Sequence, residues 1–168
     1  AWASAIERKD GPTSLILSRQ NLPFVEREDY NADEMAQGGY IMLEAPEGAA
    51  SVQVTLLASG SEVALAAEAR KQLLAMNIQT RLVSMPSTTV FDRQPQEYKD
   101  FVLGAGKPVV AIEAATSDIW WKYIRGAGTV IGMNTFGESA PAGELFKLFG
   151  FTVDNVVATV QQLLNQGK

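Results

Sequence analysis

Val52-Gln53-Val54-Thr55-Leu56-Leu57-Ala58-Ser59-Gly60-Ser61-Glu62 is the stretch on which the fold turns. After Gln53 it is apolar almost throughout up to Ala58, which suits a strand covered on both faces. Ser59-Gly60-Ser61-Glu62 then offers a helix cap with an acidic partner three residues on. The helix that follows places Leu65, Ala66, Ala69, Leu73 and Met76 on one stripe, with Glu68, Lys71 and Gln72 outside it. Asn77 breaks that helix, and Thr80 to Met85 reads as the next strand. Two strands joined by a helix pair in parallel.

The same rhythm extends in both directions. Tyr40 to Leu43 reads as a strand, followed by a turn through Pro46 and Gly48. This first strand pair, joined by a short turn, is open to antiparallel pairing. Downstream, Pro86 to Gln96 reads as a loop, Glu97 to Leu103 as a short helix and Pro108 to Ala114 as a buried strand. Asp118 to Arg125 suits one or two helical turns between strands, and Thr129 to Met133 is the last strand. Two helices close the chain, the second striped by Val153, Val156, Val157, Val160 and Leu164. Strands alternating with helices predict a mostly parallel sheet with helices on both faces.

Upstream, Trp2 to Arg8 suits the end of a helix, closed by Asp10-Gly11-Pro12, and Thr13 to Ser18 reads as a short buried strand. Asn21 to Gln37 holds Pro23, the acids Glu26, Glu28, Asp29, Asp33 and Glu34, and no long apolar run. It is the linker candidate, and the domain boundary is placed inside it. The chain opens on Ala1 without a cap or an initiator Met, as if cut from something longer.

Composition excludes several chemistries. The 168 residues are 46% hydrophobic and 20% charged, which supplies ample core for one ordinary domain. A net charge of −5 argues against nucleic acid as a partner. With no Cys and no His, thiolate nucleophiles, Cys-ligated zinc and imidazole bases are excluded. No apolar run approaches the roughly 18 to 20 residues of a membrane span, and the N-terminus carries no signal pattern.

Few residues stand out as chemical candidates. Arg19 lies just past the first apolar strand, where open α/β sheets place ligands, and a guanidinium there suits a phosphate. Ser59, Gly60 and Ser61 precede a helix N-terminus, either as a plain cap or as an anion site. Glu113 ends an apolar strand, where a hydrogen-bonded structural role fits best in the absence of a partner. Trp120, Trp121 and Tyr123 are core or the anchor of a contact. Gly137-Glu138-Ser139-Ala140-Pro141 lacks the second Gly of a nucleophile elbow, and no His could activate Ser139. Ser139 therefore reads as a helix cap, with Pro141 in the first turn and Gly150 as the stop.

Five ordered blocks carry a resemblance: Ser18-Arg19-Gln20-Asn21-Leu22; Gly38-Gly39-Tyr40; Ala58-Ser59-Gly60-Ser61-Glu62-Val63; Val83-Ser84-Met85-Pro86-Ser87; and Gly132-Met133-Asn134-Thr135-Phe136-Gly137 running on to Val156. Together they resemble the C-terminal region of transketolase. The resemblance implies a three-layer α/β/α domain with a five-stranded mixed sheet, mostly parallel with the first strand antiparallel. It divides the chain into the tail of a pyrimidine-binding domain (1–22), a linker (23–37) and the transketolase C-terminal domain (38–168).

It further implies a cytoplasmic, homodimeric parent enzyme of the pentose phosphate pathway. That enzyme would use thiamine diphosphate and a divalent metal (Mg or Ca) to move a ketol unit between sugar phosphates. Arg19 matches the family Arg that contacts the substrate phosphate. The family's Gly-Asp-Gly…Asn cofactor segment has no match here, so neither cofactor nor metal is expected on this chain. An architectural module, inactive alone and dependent on upstream domains, is the expectation. The alternatives are a regulatory anion site at Ser59–Ser61, or the same domain of dihydroxyacetone synthase or deoxyxylulose-phosphate synthase.

Overall fold

A computed structural model describes residues 1–26 and 32–166. In chain order the elements are α1 (Trp2–Glu7), α2 (Ala32–Ala36), β1 (Tyr40–Leu43), β2 (Val54–Ala58), α3 (Glu62–Ala75), β3 (Thr80–Ser84), α4 (Thr88–Asp92), α5 (Gln96–Leu103), β4 (Val109–Ile112), β5 (Thr129–Ile131), α6 (Ala142–Leu148) and α7 (Val153–Gln166). Short 3-10 helices span Ala49–Ser51 and Trp121–Tyr123.

The five strands form one sheet in the order β1-β3-β2-β4-β5. β2 pairs in parallel with β3 and β4, and β4 with β5, while β1 runs antiparallel. The partner of β1 is β3, so the short link to β2 is not a hairpin. β2 already has both edges filled by its parallel neighbours, which leaves the outer edge of β3 to β1.

Every residue of β2 and β4 is buried, because helices cover both faces. Val54, Leu56, Ala58, Val110 and Ile112 face α3 and α7, where Ala66, Ala69, Leu73, Val156 and Val160 close the core. Leu57, Val109 and Ala111 face the other way, onto Phe91, Val102, Leu103, Trp120 and Tyr123. Alternation along each strand thus feeds two apolar layers, and the α/β/α sandwich follows.

Helix ends obey local chemistry. Asn77 takes φ 59°, and the Ile78 and Asn77 amides donate back to the Leu73 and Leu74 carbonyls, closing α3. Gly150, at φ 80°, closes α6 the same way, with the Phe151 amide on the Phe146 carbonyl at 2.7 Å. The N-termini depart from expectation. α3 begins at Glu62 without a side-chain cap from Ser61, and α6 begins after Pro141 without one. Ser139 is not the cap of α6; it lies in an exposed loop two residues upstream of Pro141, the cap position.

Two further expectations are corrected. The Pro86–Gln96 segment holds helix α4, nucleated by Ser87, whose Oγ accepts from the Val90 amide at 3.3 Å. Residues 13–18 form no strand: Ile16 is 94% exposed and Leu17 81%. A strand needs a neighbour to pair its N–H and C=O groups, and among the described residues none lies alongside. Within residues 23–37, the segment expected to be a linker, α2 forms at residues 32–36, and residues 27–31 lie outside the described residues. Among the described residues no helix is long and apolar enough to cross a membrane.

Candidate functional site at the carboxyl edge of the sheet

The side chains best placed for chemistry gather where β2, β4 and β5 end. Ser59 follows β2 directly and Glu113 follows β4, and the Ser59 hydroxyl donates to Glu113 Oε2 at 2.7 Å. The Ser59 carbonyl accepts the Glu62 amide at 3.1 Å, and Ser61 Oγ donates to Glu62 Oε1 at 2.9 Å. Glu62 is 3% exposed although it opens a helix. Gly60 turns the chain at φ 50°, with nothing within 4 Å of where a Cβ would stand. The seryl hydroxyls therefore serve carboxyls rather than the helix N–H groups.

Those carboxyls are electrostatically unusual. Burial pushes Glu113 up to about 7; the Ser59 hydrogen bond opposes this in part, and the neighbouring charge of Glu62 adds to it. Burial also raises Glu62 above the ordinary carboxylate range, against its bond from Ser61. Glu113 does have a partner, Ser59, and its reading as a hydrogen-bonded group stands.

One strand further along the edge, Asn134 fastens the exits of β4 and β5 together. Its Oδ1 accepts from the Ser117 amide at 3.0 Å and from Ser117 Oγ at 3.1 Å. An open depression of about 480 Å³ beside this link is lined by Thr116, Asp118, Met133, Asn134, Thr135 and Phe136. The aromatic group divides as its two readings allowed. Trp120 and Tyr123 are core, whereas Trp121 is half exposed. Tyr123 OH donates to Asp92 Oδ1 at 2.8 Å, and Lys122 Nζ reaches Asp92 Oδ2 at 2.6 Å. Burial, then Asp92, push the phenol up to about 12, so it stays neutral and pins α4 to the 3-10 turn.

Arg19 takes no part in these hydrogen bonds among the described residues. It is exposed, in a bend of the segment before residue 27, and joins no ion pair found among the described residues. The opposite edge holds what the sequence reading missed. Arg81, 2% exposed, donates from Nε and Nη2 to Glu44 Oε1 and Oε2 at 3.0 and 2.6 Å. Its Nη1 also donates to the carbonyls of Phe101 and Val102, at 2.5 and 3.1 Å. Arg70 donates to the Thr80 carbonyl at 2.9 Å and to the Glu44 carbonyl. This is a structural clamp, not a site.

Comparison with known proteins fits this fold. A family model described as "Transketolase-like TK C-terminal domain" matches residues 38–152. The chain belongs to that family. It is 53% identical to Transketolase 2 of Aliivibrio fischeri over 165 residues, which are 98% of this chain and 24% of that protein. The transketolase structure from Leishmania mexicana superposes with a TM-score of 0.86 at 42% identity, over 99% of this chain and 23% of that one. A third structure, described as "Split gene transketolase, inactive beta4 tetramer", matches with a TM-score of 0.64 and 28% identity, over 88% of this chain and 48% of that one. The chain thus spans about a quarter of the length of the curated relatives it matches.

Proposed function

We propose that this chain serves as the C-terminal module of a transketolase, an enzyme that transfers a ketol unit between sugar phosphates, and that its own part is architectural. The observation that carries this reading is 53% identity along 98% of the chain to a transketolase of which it spans only 24%. The relatives named are transketolases, which favours that activity over dihydroxyacetone synthase and deoxyxylulose-phosphate synthase. The split-gene tetramer, described as inactive, supports a module that assembles without turning over alone. A homodimeric, cytoplasmic parent built on upstream domains is part of the same proposal, with residues 1–22 the tail of the preceding domain and 38–168 the C-terminal domain.

Thiamine diphosphate with a divalent metal would supply the carbanion-stabilising chemistry of such an enzyme. Among the described residues no three His, Cys, Asp or Glu side chains are grouped to hold a metal ion. No step is assigned to the cofactor on this chain. What the chain contributes to substrate is Arg19, whose exposed guanidinium would grip the phosphate remote from the reacting carbon. Binding energy from a non-reacting group of this kind orients the reacting one.

The test is reconstitution. The isolated chain is expected to show no ketol transfer, and activity is expected only when the remaining three quarters of the enzyme are present in the same polypeptide. Turnover by the chain alone would overturn the architectural reading.

A regulatory anion at Ser59, Gly60 and Ser61 is the second reading, favoured by the open turn at Gly60. Glu62 and Glu113 bring negative charge to that turn, which opposes it. Inorganic phosphate at millimolar concentration is accordingly expected to leave the unfolding temperature unchanged. An upward shift that Gly60→Asp abolishes would establish the anion site instead.

A further inference from the structure

The register of the sheet sets five residues in one row. Tyr40 pairs with Ser84, Ser84 with Ala58, Ala58 with Ile112, and Ile112 with Ile131. Tyr40 opens β1, and the other four close their strands. Because β1 runs antiparallel, the chain enters the domain at the edge where the four parallel strands leave it. That entry is pinned in place. The Gly38 carbonyl accepts the Ser87 amide at 2.9 Å, and the Gly39 carbonyl accepts the Tyr98 hydroxyl at 2.9 Å.

The loop leaving β5 at this edge is held at both ends and uncovered between them. At its start, the Met133 amide donates to the Ala115 carbonyl at 2.8 Å, and Asn134 Oδ1 accepts from the Ser117 amide. At its far end, the Phe146 ring packs on Phe151 with centroids 5.7 Å apart. Residues 134–144 are exposed without interruption. Among the described residues, none of the amides of 134–140 donates to a backbone carbonyl. Phe136 is 97% exposed and shares a depression with Met133, Thr116 and Asp118. Ile119 and Trp121, which follow Asp118 in the chain, are each half exposed. Single exposed apolar residues are ordinary, but an aromatic anchor with apolar neighbours and a polar rim is the anatomy of an interface.

We propose that this edge is a docking face, that Phe136 is its anchor, and that its occupant is the part of the same polypeptide preceding Ala1. The inference rests on the transketolase reading above, in which the relatives extend well beyond the 24% of their length matched here. Two observations select that occupant. The chain comes into the domain at this very edge, so a body joined upstream arrives beside the loop of Phe136. The segment leading in also carries Trp2, Ile6, Ile16, Leu17 and Phe24, all exposed among the described residues. One upstream body accounts for both sets of uncovered apolar side chains. A second copy seated on Phe136 leaves the first set unexplained.

The experiment exploits the absence of Cys from the 168 residues. Phe136→Cys is introduced into this chain and into the full-length enzyme, and its reaction with a maleimide is followed by mass spectrometry of the labelled peptide. Labelling is expected to be at least about tenfold slower in the full-length enzyme, because burial makes reaction wait for local opening. Glu138→Cys, on the same exposed loop and with Phe136 intact, gives the same reading if loss of the ring itself opens the contact. Equal rates in the two proteins at both positions would overturn the proposal. So would protection already present in the 168-residue chain together with sedimentation as a dimer, which would give the face to a second copy. Ketol transfer by the unsubstituted full-length enzyme is measured in parallel. Its presence with an unprotected loop overturns this inference alone, whereas its absence overturns the transketolase reading beneath it.

Discussion

Glu44→Gln is expected to lower the stability of the chain by about 3 kcal/mol, read from urea unfolding. The cause is the position of Arg81. Its side chain is 2% exposed, and both oxygens of Glu44 receive its Nε and Nη2. Removing the carboxylate charge leaves a buried guanidinium with two backbone carbonyls and an amide, which do not neutralise it. Losing one member of a buried pair costs about 3 to 5 kcal/mol, and the partial exposure of Glu44 places the effect at the lower end. For a domain of this size that is a fall of roughly 10 °C in unfolding temperature. The double variant Glu44→Gln/Arg81→Met is expected to recover part of the loss, because no unpaired charge remains. A loss below about 1 kcal/mol for Glu44→Gln would show that the clamp is ordinary packing.

Arg19→Gln in the full-length enzyme is expected to reduce kcat/KM for a phosphorylated ketose by roughly 30- to 100-fold. A charged hydrogen-bonding group contributes about 1.5 to 3 kcal/mol, and a bidentate grip on phosphate lies toward the top of that range. The control is a ketose donor without phosphate, for which the change is expected to stay within about twofold, since the lost interaction concerns only the remote group. An equal loss on both donors would assign Arg19 to folding or to domain contact rather than to phosphate.

The parts of the fold that are legible in the sequence are those governed by period and punctuation. The near-continuous apolar run of β2 and the unbroken one of β4 announce burial on both faces, and the stripe of α7 recurs as Val156, Val157 and Val160 in the core. Asn77 and Gly150 end their helices in the left-handed conformation, which the short Asn side chain tolerates and the missing Cβ of glycine permits. Failures occur where a distant partner decides. Residues 13–18 have the apolar content of a strand but, among the described residues, no strand beside them. Ser87 is a sound cap, yet five helical residues between Pro86 and Pro95 are too short to show a period.

The candidate site divides in the same manner. Glu113 stands out as a carboxyl closing an apolar strand, but its partner Ser59 is 54 residues away and belongs to another strand exit. The Ser59-Gly60-Ser61-Glu62 string resembles a capping box, and the buried carboxyls divert its hydroxyls from the helix N–H groups. Arg81 sits in a strand between Thr80 and Leu82, and Glu44 lies 37 residues upstream. Nothing local signals that pairing. The Asp92–Lys122–Tyr123 contact is likewise formed across about 30 residues of chain.

The most direct trial of the architectural account is isothermal calorimetry of the 168-residue chain, folded by circular dichroism, with thiamine diphosphate and magnesium. Heats indistinguishable from dilution up to millimolar cofactor are the expected result. Saturable binding at micromolar concentration would contradict it, and would place the cofactor's cradle on this chain.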